Sequence, residues 1–178
     1  ILEHRDDEAG RRLWYQVRHY GAWILYRTGD LDGASGEFDA LIVEVPHEYK
    51  VDRGLALNGR GVAAYGQGDY GIAESHFQQA LVLFQEAGEL RRVCSAYNNL
   101  GMLAAKQGDR AGAARWYEKA VQIHAKTGNR TGLAQTYNNL GSLYGDLGDY
   151  QRAERFLRES IRIRLASGHS GVAVGYAN

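Results

Sequence analysis

Residues 94–133 read CSAYNNLGMLAAKQGDRAGAARWYEKAVQIHAKTGNRTGL, and this segment has one counterpart before it and another after it. The positions that recur at a constant spacing are Gly61, Gly101 and Gly141; Gly68-Asp69, Gly108-Asp109 and Gly148-Asp149; Ala73, Ala113 and Ala153; Phe77, Tyr117 and Leu157; and Gly88, Gly128 and Gly168. A fixed period of about 40 residues is typical of stacked repeats rather than of a globule with one closed core.

Each repeat is predicted to be a pair of helices. Residues at helical spacing, three or four apart, indicate two helices. The first set is Ala96, Tyr97, Leu100, Leu103 and Ala104, and the second is Ala113, Trp116, Tyr117, Ala120, Val121 and His124. Gly108 is expected to end the first helix, Asp109 to cap the second, and Gly128 to end the second. The small residues Gly101 and Ala113 are expected where the two helices approach closely.

This order of residues resembles the tetratricopeptide repeat. It is carried by Tyr97, Leu100-Gly101, Ala104, Ala113, Tyr117 and Ala120; by Tyr137, Leu140-Gly141, Tyr144, Ala153, Leu157 and Ser160; and by Leu57, Gly61, Ala64, Ala73, Phe77 and Ala80, with Arg60 where leucine is expected. The usual repeat has about 34 residues. The longer unit is similar to the variety in kinesin light chains, Pins-type adaptors and bacterial signalling or transcription regulators. The resemblance implies an all-α, right-handed α-solenoid of antiparallel helix pairs.

The resemblance divides nearly the whole chain into repeats. We assign residues 55–93, 94–133 and 134–171 to three repeats and residues 11–54 to a diverged one. In the diverged repeat Gly21 matches Gly61 and Gly29 matches Gly68, but these two spacings differ by one position, which leaves two registers open. Residues 1–10 are interpreted as the end of a preceding helix or a linker, and 172–178 as the start of a further repeat. We expect an array that is cut at both ends.

Composition limits the possible partners and compartments. Lys and Arg total 21 and Asp and Glu total 21, so no basic excess favours binding to nucleic acid or to an anionic membrane. Cys94 is the single cysteine, which excludes an internal disulfide and a cysteine metal cluster. The sequence has no signal-peptide pattern and no apolar run long enough to span a bilayer. A cytoplasmic protein is therefore expected.

Candidate binding residues lie on the predicted first helices, which in this family line the concave face. One row consists of Asn58, Asn98 and Asn138, and the adjacent row contains Asn99 and Asn139. Further along the same face come Tyr65, Lys106, Asp146, Ser95 and Gln135. An asparagine side chain both donates and accepts, so a row of them suits the backbone of a bound peptide. The resemblance supports this role, because equivalent asparagines in related arrays hold peptide backbone.

Alternatives remain open for these residues. Asn99 and Asn139 could instead bond to the neighbouring repeat and fix the stack. Lys106 and Asp146 carry opposite charges, so the groove has no uniform charge. Charged residues of this kind more often serve solubility than specific binding. The several Lys and Arg that clamp a terminal carboxylate in chaperone-adaptor repeats are not evident here.

No catalytic chemistry is indicated. The six histidines are scattered without metal-ligand spacing, and no phosphate-binding glycine loop occurs. Cys94 is expected to be a buried small hydrophobe rather than a reactive thiol. We therefore predict no metal, no cofactor and no enzymatic activity.

The sequence favours non-enzymatic binding of a protein, a peptide or another domain of the same protein. In the first hypothesis the chain is the sensor or interaction segment of a larger bacterial signalling or regulatory protein. A small-ligand-sensing superhelix, similar to the maltose-regulon activator's, is one alternative. A structural or self-assembling array is another.

Overall fold

The computed structural model describes residues 7–175, with side chains up to residue 166, and this part of the chain contains eight α-helices and no strand. The helices are α1 (Glu8–Thr28), α2 (Leu31–Glu44), α3 (Lys50–Gln67), α4 (Tyr70–Glu86), α5 (Leu90–Lys106), α6 (Arg110–Thr127), α7 (Arg130–Asp146) and α8 (Tyr150–Gly175). The all-α class predicted from the sequence is confirmed.

The turn between the helices of a pair is set by the recurrent Gly-Asp dipeptide. Gly108 follows α5 with a φ of 85°, a left-handed conformation that glycine adopts without steric cost. The carboxylate of Asp109 then accepts a hydrogen bond at 2.8 Å from the backbone N–H of Gly112, in the first turn of α6. Gly128, with a φ of 64°, ends α6. The predicted stops and the predicted cap are confirmed.

Two expectations about segment boundaries need correction. Residues 8–10 form the first turn of α1 rather than a linker or a preceding helix, because the Asp7 side chain caps that turn by accepting from Gly10 N–H at 2.6 Å. The repeat boundaries at 54/55, 93/94 and 133/134 fall inside α3, α5 and α7. The helices begin about one turn before these boundaries, at Lys50, Leu90 and Arg130.

The expected turn at Gly168 does not form. Helix α8 continues through this position to Gly175. Glycine permits a helix stop but does not impose one, since its cost within a helix is only about 1 kcal/mol relative to alanine. The start of a further repeat at 172–178 stays a prediction, and residues 176–178 lie outside the described part of the chain.

The chain divides into two compact units, Ile1–Ala96 and Tyr97–Asn178. In the first unit α1 packs against α2, α2 against α3, and α3 against α4. One core cluster there consists of Ala22, Ala34, Phe38, Leu41, Val45, Ala56 and Ala63. In the second unit α6 packs against α7 and α7 against α8, around Ala104, Ala113, Tyr117, Leu140, Leu143, Tyr144 and Ala153.

Within a pair, the two helices meet at a glycine that faces a large side chain. A Cβ added to Gly61 would lie 2.6 Å from the Phe77 ring, and one added to Gly101 would lie 2.6 Å from the Tyr117 ring. The recurrent glycines therefore mark the close approach of helices, as the sequence predicted for Gly101.

The register of the first pair follows its glycine turn. Ala22 is fully buried in the same cluster as Phe38, whereas a Cβ added to Gly21 would have no neighbour within 4 Å. Ala22 precedes Gly61 by the same spacing that separates Gly29 from Gly68. The spacing of the glycine turns is therefore the structural one, and the match of Gly21 to Gly61 is coincidental.

His124 is a buried ionisable residue in the second unit. Its ring lies against Gly132 of α7, and its buried Nδ1 has no hydrogen-bond partner in the described part of the chain. Burial lowers the pKa of His124 below its ordinary value of 6.5. The imidazole is therefore neutral, and it packs between α6 and α7.

We expect acid to destabilise the protein through His124. Between the lowered folded pKa and the unfolded value of 6.5 the unfolded chain binds more protons, so stability is full above this window and falls as the pH drops through it. The urea midpoint, measured by circular dichroism from pH 7.5 to pH 5, should fall less steeply in His124→Phe. The exposed His47→Gln serves as control. Burial also lowers the pKa values of His19 and His76, so they contribute an equal pH dependence to wild type and to both variants. Equal slopes for His124→Phe and wild type would contradict the role of His124.

Candidate functional site

The ten side chains singled out in the sequence all lie on the first helices of their pairs, α3, α5 and α7. Asn58, Tyr65, Asn98, Asn99, Asn138 and Asn139 are half-buried, and Ser95, Lys106, Gln135 and Asp146 are exposed. Asn58, Tyr65 and Ser95 belong to the first unit and the other seven to the second. Each unit therefore carries its own part of the candidate site.

The first unit contains a pocket of about 440 Å³ between its first helices. Leu41, Val45 and Leu55 supply apolar wall, and Arg12 and Asp52 lie at the polar side. Arg12 Nη2 lies 3.2 Å from the largely buried carboxylate of Asp52. The pocket combines apolar surface with a few fixed polar groups, as ligand sites generally do.

His19 is a further member of the candidate row, and sequence reasoning missed it. It lines the same pocket and precedes Asn58 by the spacing of the glycine turns, so it is the counterpart of the asparagines in the first pair. Trp23 Nε1–H donates to His19 Nε2 at 3.2 Å, and the Leu55 backbone is hydrogen-bonded to the imidazole. Burial lowers the pKa of His19, which keeps the ring neutral. The spacing of Gly29 and Gly68 was the signal that could have identified it.

A second pocket, of about 460 Å³, adjoins the first and contains two predicted residues. Asn58 and Ser95 line it, and it shares Leu55, Glu89 and Arg92 with the first pocket. Arg92 Nε is buried without a hydrogen-bond partner in the described part of the chain, and the nearest carboxylate oxygen, on Glu89, is 3.6 Å away. The two pockets form one cleft, whose shared wall presents a donor that lacks an acceptor. We call this the unit-1 cleft.

In the second unit the asparagine row is partly used for stacking. Thr136 Oγ1 on α7 lies 3.2 Å from Asn98 Oδ1 on α5 and 3.0 Å from the carbonyl oxygen of Gly132. A hydroxyl has one hydrogen to donate, so both contacts hold together when the Asn98 amide is turned to donate to Thr136. The sequence offered this stacking role for Asn99 and Asn139, and the structure assigns one such bond to Asn98.

This bond predicts different effects for two equivalent asparagines. Asn98→Ala should lower the free energy of unfolding by about 1 kcal/mol, because the buried Thr136 hydroxyl loses a partner. Asn138→Ala should change it by less than about 0.5 kcal/mol, since no hydrogen bond to Asn138 is found within residues 7–166. Urea denaturation followed by circular dichroism compares the two. Equal losses would mean that the bond to Thr136 does not contribute to stability.

The remaining predicted residues do not converge on one point. Gln135 lines a pocket of about 370 Å³ with Ile163 and Arg164 of α8. Tyr65 packs its ring 5.7 Å from that of Tyr70 in the first unit. Lys106 and Asp146 are exposed near the ends of α5 and α7. The candidate site is therefore best defined at the unit-1 cleft, with Gln135 and Asn138 as a separate surface in the second unit.

Groups for nucleophilic or metal chemistry are not assembled in the part of the chain that the structure describes. Residues 7–166 contain no group of three His, Cys, Asp or Glu side chains placed to hold a metal ion. Cys94 is buried, and burial raises the pKa of its thiol to about 11, so it stays protonated at neutral pH. Among the described helices none has the length and apolarity needed to cross a bilayer.

The family model of the tetratricopeptide repeat matches residues 52–124 and 92–166. No curated protein sequence matches the chain. The structure of BtubC (BKLC) from P. vanneervenii is similar with a TM-score of 0.75 and 27% identity, over 88% of this chain and 65% of that one.

Two further solved structures share the fold at lower identity. The apo form of RapI has a TM-score of 0.75 and 18% identity, over 88% of this chain and 58% of that one. MamA has a TM-score of 0.65 and 17% identity, over 87% of this chain and 81% of that one. The chain thus spans less than two thirds of the BtubC and RapI structures. The helical-solenoid fold predicted from the sequence is confirmed.

Proposed function

The chain belongs to the tetratricopeptide repeat family, and on this premise we propose that it is a non-enzymatic array that binds a protein or peptide on its first helices. The observation that carries the proposal is the unit-1 cleft, where apolar wall at Leu55 adjoins the polar groups of Asn58 and Arg92. An extended or helical segment presents both apolar side chains and backbone acceptors, which match these two kinds of surface.

Arg92 is the expected anchor of the bound segment. A buried N–H group without an acceptor lowers stability until a partner supplies one. A backbone carbonyl or an acidic side chain of the bound segment would accept from Arg92 Nε, while its apolar side chains cover Leu55. The half-buried Asn138 and the exposed Gln135 offer amide groups of the same kind in the second unit.

The biological setting is proposed from the length of the repeat unit alone. The long unit is similar to repeats in bacterial signalling and regulatory proteins, so we propose a sensor or interaction segment of such a protein, acting in the cytoplasm. Binding would then be read out by other parts of that protein.

A small ligand is the second candidate. The pocket of about 440 Å³ falls within the size range of small-molecule sites and already contains aromatic, apolar and charged wall. A ligand of this kind would fill the pocket around His19 and leave the neighbouring surface at Asn58 and Ser95 unused.

Peptide selection followed by titration calorimetry tests the main proposal. A random peptide display library is selected on the purified chain, and the enriched peptide is synthesised and titrated into wild type, Arg92→Ala and Arg115→Ala. We expect about tenfold or greater weakening in Arg92→Ala, because a charge-assisted hydrogen bond is lost. The exposed Arg115 on α6 lies outside the cleft and should leave affinity unchanged.

Melting curves of both variants are recorded alongside, so that loss of binding is separated from loss of folding. Failure to enrich any peptide, or equal affinity of wild type and Arg92→Ala, would overturn the proposal. A different outcome would favour the second candidate: no peptide is enriched, but a compound from a small-molecule screen binds wild type and does not bind Leu55→Trp.

A further inference from the structure

The charges of the second helices are divided unevenly between the two units. Helices α2 and α4 of the first unit contain six Asp or Glu and no Lys or Arg, whereas α6 and α8 of the second contain nine Lys or Arg and three Asp or Glu. The equal totals of the whole chain therefore conceal a net formal charge of −6 on one pair of helices and +6 on the other. Such asymmetry between the halves of a chain is a signal for binding to nucleic acid or to a membrane.

The basic residues occupy positions that point outward in every repeat. Arg115 on α6 corresponds at the repeat spacing to Arg155 on α8 and to Ser75 on α4, and all three residues are exposed. Position 115 stays exposed although α7 packs against α6. The exposure of this position is therefore a property of the repeat and not of the last helix alone.

Six exposed residues form what we call the basic face: Arg115, Lys119 and Lys126 on α6, and Arg155, Arg158 and Arg162 on α8. On α4 the counterparts of Lys119, Arg158 and Arg162 are the uncharged Gln79, Gln78 and Val82. Helix α4 packs in its pair with uncharged residues at these positions, so the fold of the repeat does not require the basic side chains.

Half of the basic face has no compensating carboxylate. No ion pair is found in the described part of the chain for Lys119, Lys126 and Arg155. The other three lie near carboxylates of their own helix or its cap, as Arg158 does with Nη2 2.6 Å from Glu154 Oε1. Because both side chains of that pair are more than half exposed, the pair is weak and an external anion can replace the carboxylate.

We propose that the basic face binds the phosphate backbone of a nucleic-acid duplex. Four of its six residues are arginines, whose guanidinium groups form bidentate hydrogen bonds with phosphate oxygens. A duplex presents phosphates continuously along its length, so an exposed charged face can bind it without a pocket and without reading the base sequence.

The outward positions offer little to an acidic protein or to a membrane. A protein interface is anchored by large apolar or aromatic residues, and a membrane-surface helix inserts an apolar face. Across Arg110–Thr127, all of which the structure describes, α6 exposes no large apolar side chain. On α8 the exposed Leu157 and Ile161 occupy positions that are buried in α4, which leaves Leu165 as the large apolar residue beside the basic face among the described residues.

Fluorescence anisotropy of a labelled DNA duplex of about 20 base pairs, titrated with the full chain, tests the proposal. Wild type should bind at about 50 mM salt and about a hundredfold more weakly at about 200 mM, as neutralisation of about four phosphates implies. Arg115→Gln/Arg155→Gln should bind about tenfold more weakly at about 50 mM salt. Its slope of log affinity against log salt should be shallower by about two, because two phosphate contacts are lost.

Arg11→Gln/Arg27→Gln is the matched control, since it removes two exposed arginines of α1 and changes the net charge equally outside the basic face. This variant should match wild type in affinity and in salt slope. Circular dichroism establishes that each variant is folded. Poly-glutamate and vesicles of phosphatidylserine and phosphatidylcholine serve as the other anionic probes.

Three results would overturn the proposal. The first is a duplex that stays unbound at about 50 mM salt, and retention of the chain by the vesicles would then assign the basic face to a membrane. The second is an equal salt slope for wild type and Arg115→Gln/Arg155→Gln. The third is tighter binding of poly-glutamate than of the duplex, which would indicate an acidic protein as the partner.

Discussion

Phe77→Ala is expected to lower the free energy of unfolding by about 3–5 kcal/mol, the largest effect of any single substitution considered for this chain. Phe77 is fully buried, and its ring lies against Gly61 where α3 and α4 come together. Truncation removes the ring and leaves a cavity that the rigid backbone at Gly61 cannot close. Urea denaturation followed by circular dichroism measures the loss.

Leu157→Ala is the matched control at the equivalent position of α8. Leu157 also faces a glycine, Gly141, but it is 36% exposed, so its removal should cost only about 1–2 kcal/mol. The comparison separates burial from repeat position. If the two variants lose the same stability, position in the repeat rather than burial determines the cost.

Gly101→Ala is expected to destabilise the second unit by about 1–2 kcal/mol although alanine is the better helix former. The new Cβ would lie 2.6 Å from Cε1 of Tyr117, a buried ring that cannot move aside. Overpacking of this kind costs about 1–3 kcal/mol, which exceeds the gain of about 0.5–1 kcal/mol from replacing glycine within a helix.

Gly145→Ala isolates the helix-propensity term. Gly145 lies in α7, and a Cβ added to it would meet no atom within 4 Å. This variant should therefore gain about 0.5–1 kcal/mol. Thermal melts of both variants against wild type are sufficient, because the expected shifts have opposite signs. A gain for Gly101→Ala would show that the contact with Tyr117 is loose.

The sequence predicted those features of the fold that depend on local chemistry. Gly108 needs a left-handed conformation and Asp109 needs a cap partner, and both requirements are visible in the residue type alone. The glycine at 101 was readable because the same position recurs in three repeats. Repeat boundaries were less accurate, since an alignment of apolar residues does not locate the first turn of a helix.

The first pair shows where residue matching fails. Gly21 matches Gly61 by residue type, but Ala22 takes the buried position that Gly61 has in the next repeat. Alanine is small enough to pack in the same core as Phe38. The choice depended on a tertiary contact rather than on local preference. The same error concealed His19, which takes the place of an asparagine in the row.

The direction in which a polar side chain points also depends on partners from other helices, which the repeat pattern does not identify. Asn98 is hydrogen-bonded to Thr136, and this bond exists because the following repeat has threonine at the position that Ala96 occupies in the repeat of Asn98. Arg60, which stands where the repeat has leucine, extends to Asp39 on α2, with Nε 3.0 Å from both carboxylate oxygens. Each side chain was identified from the pattern, but its partner lies on another helix.

Nuclear magnetic resonance mapping of a selected peptide onto the isotope-labelled chain tests the central claim, that the first helices carry the binding surface. We expect the largest chemical-shift changes at His19, Leu55, Asn58 and Arg92, with smaller ones at Gln135 in the second unit. The exposed faces of α2 and α4, at Val43 and Val82, should be unaffected. Shift changes confined to Val43, Val82 and their neighbours would show that the peptide binds elsewhere than on the first helices.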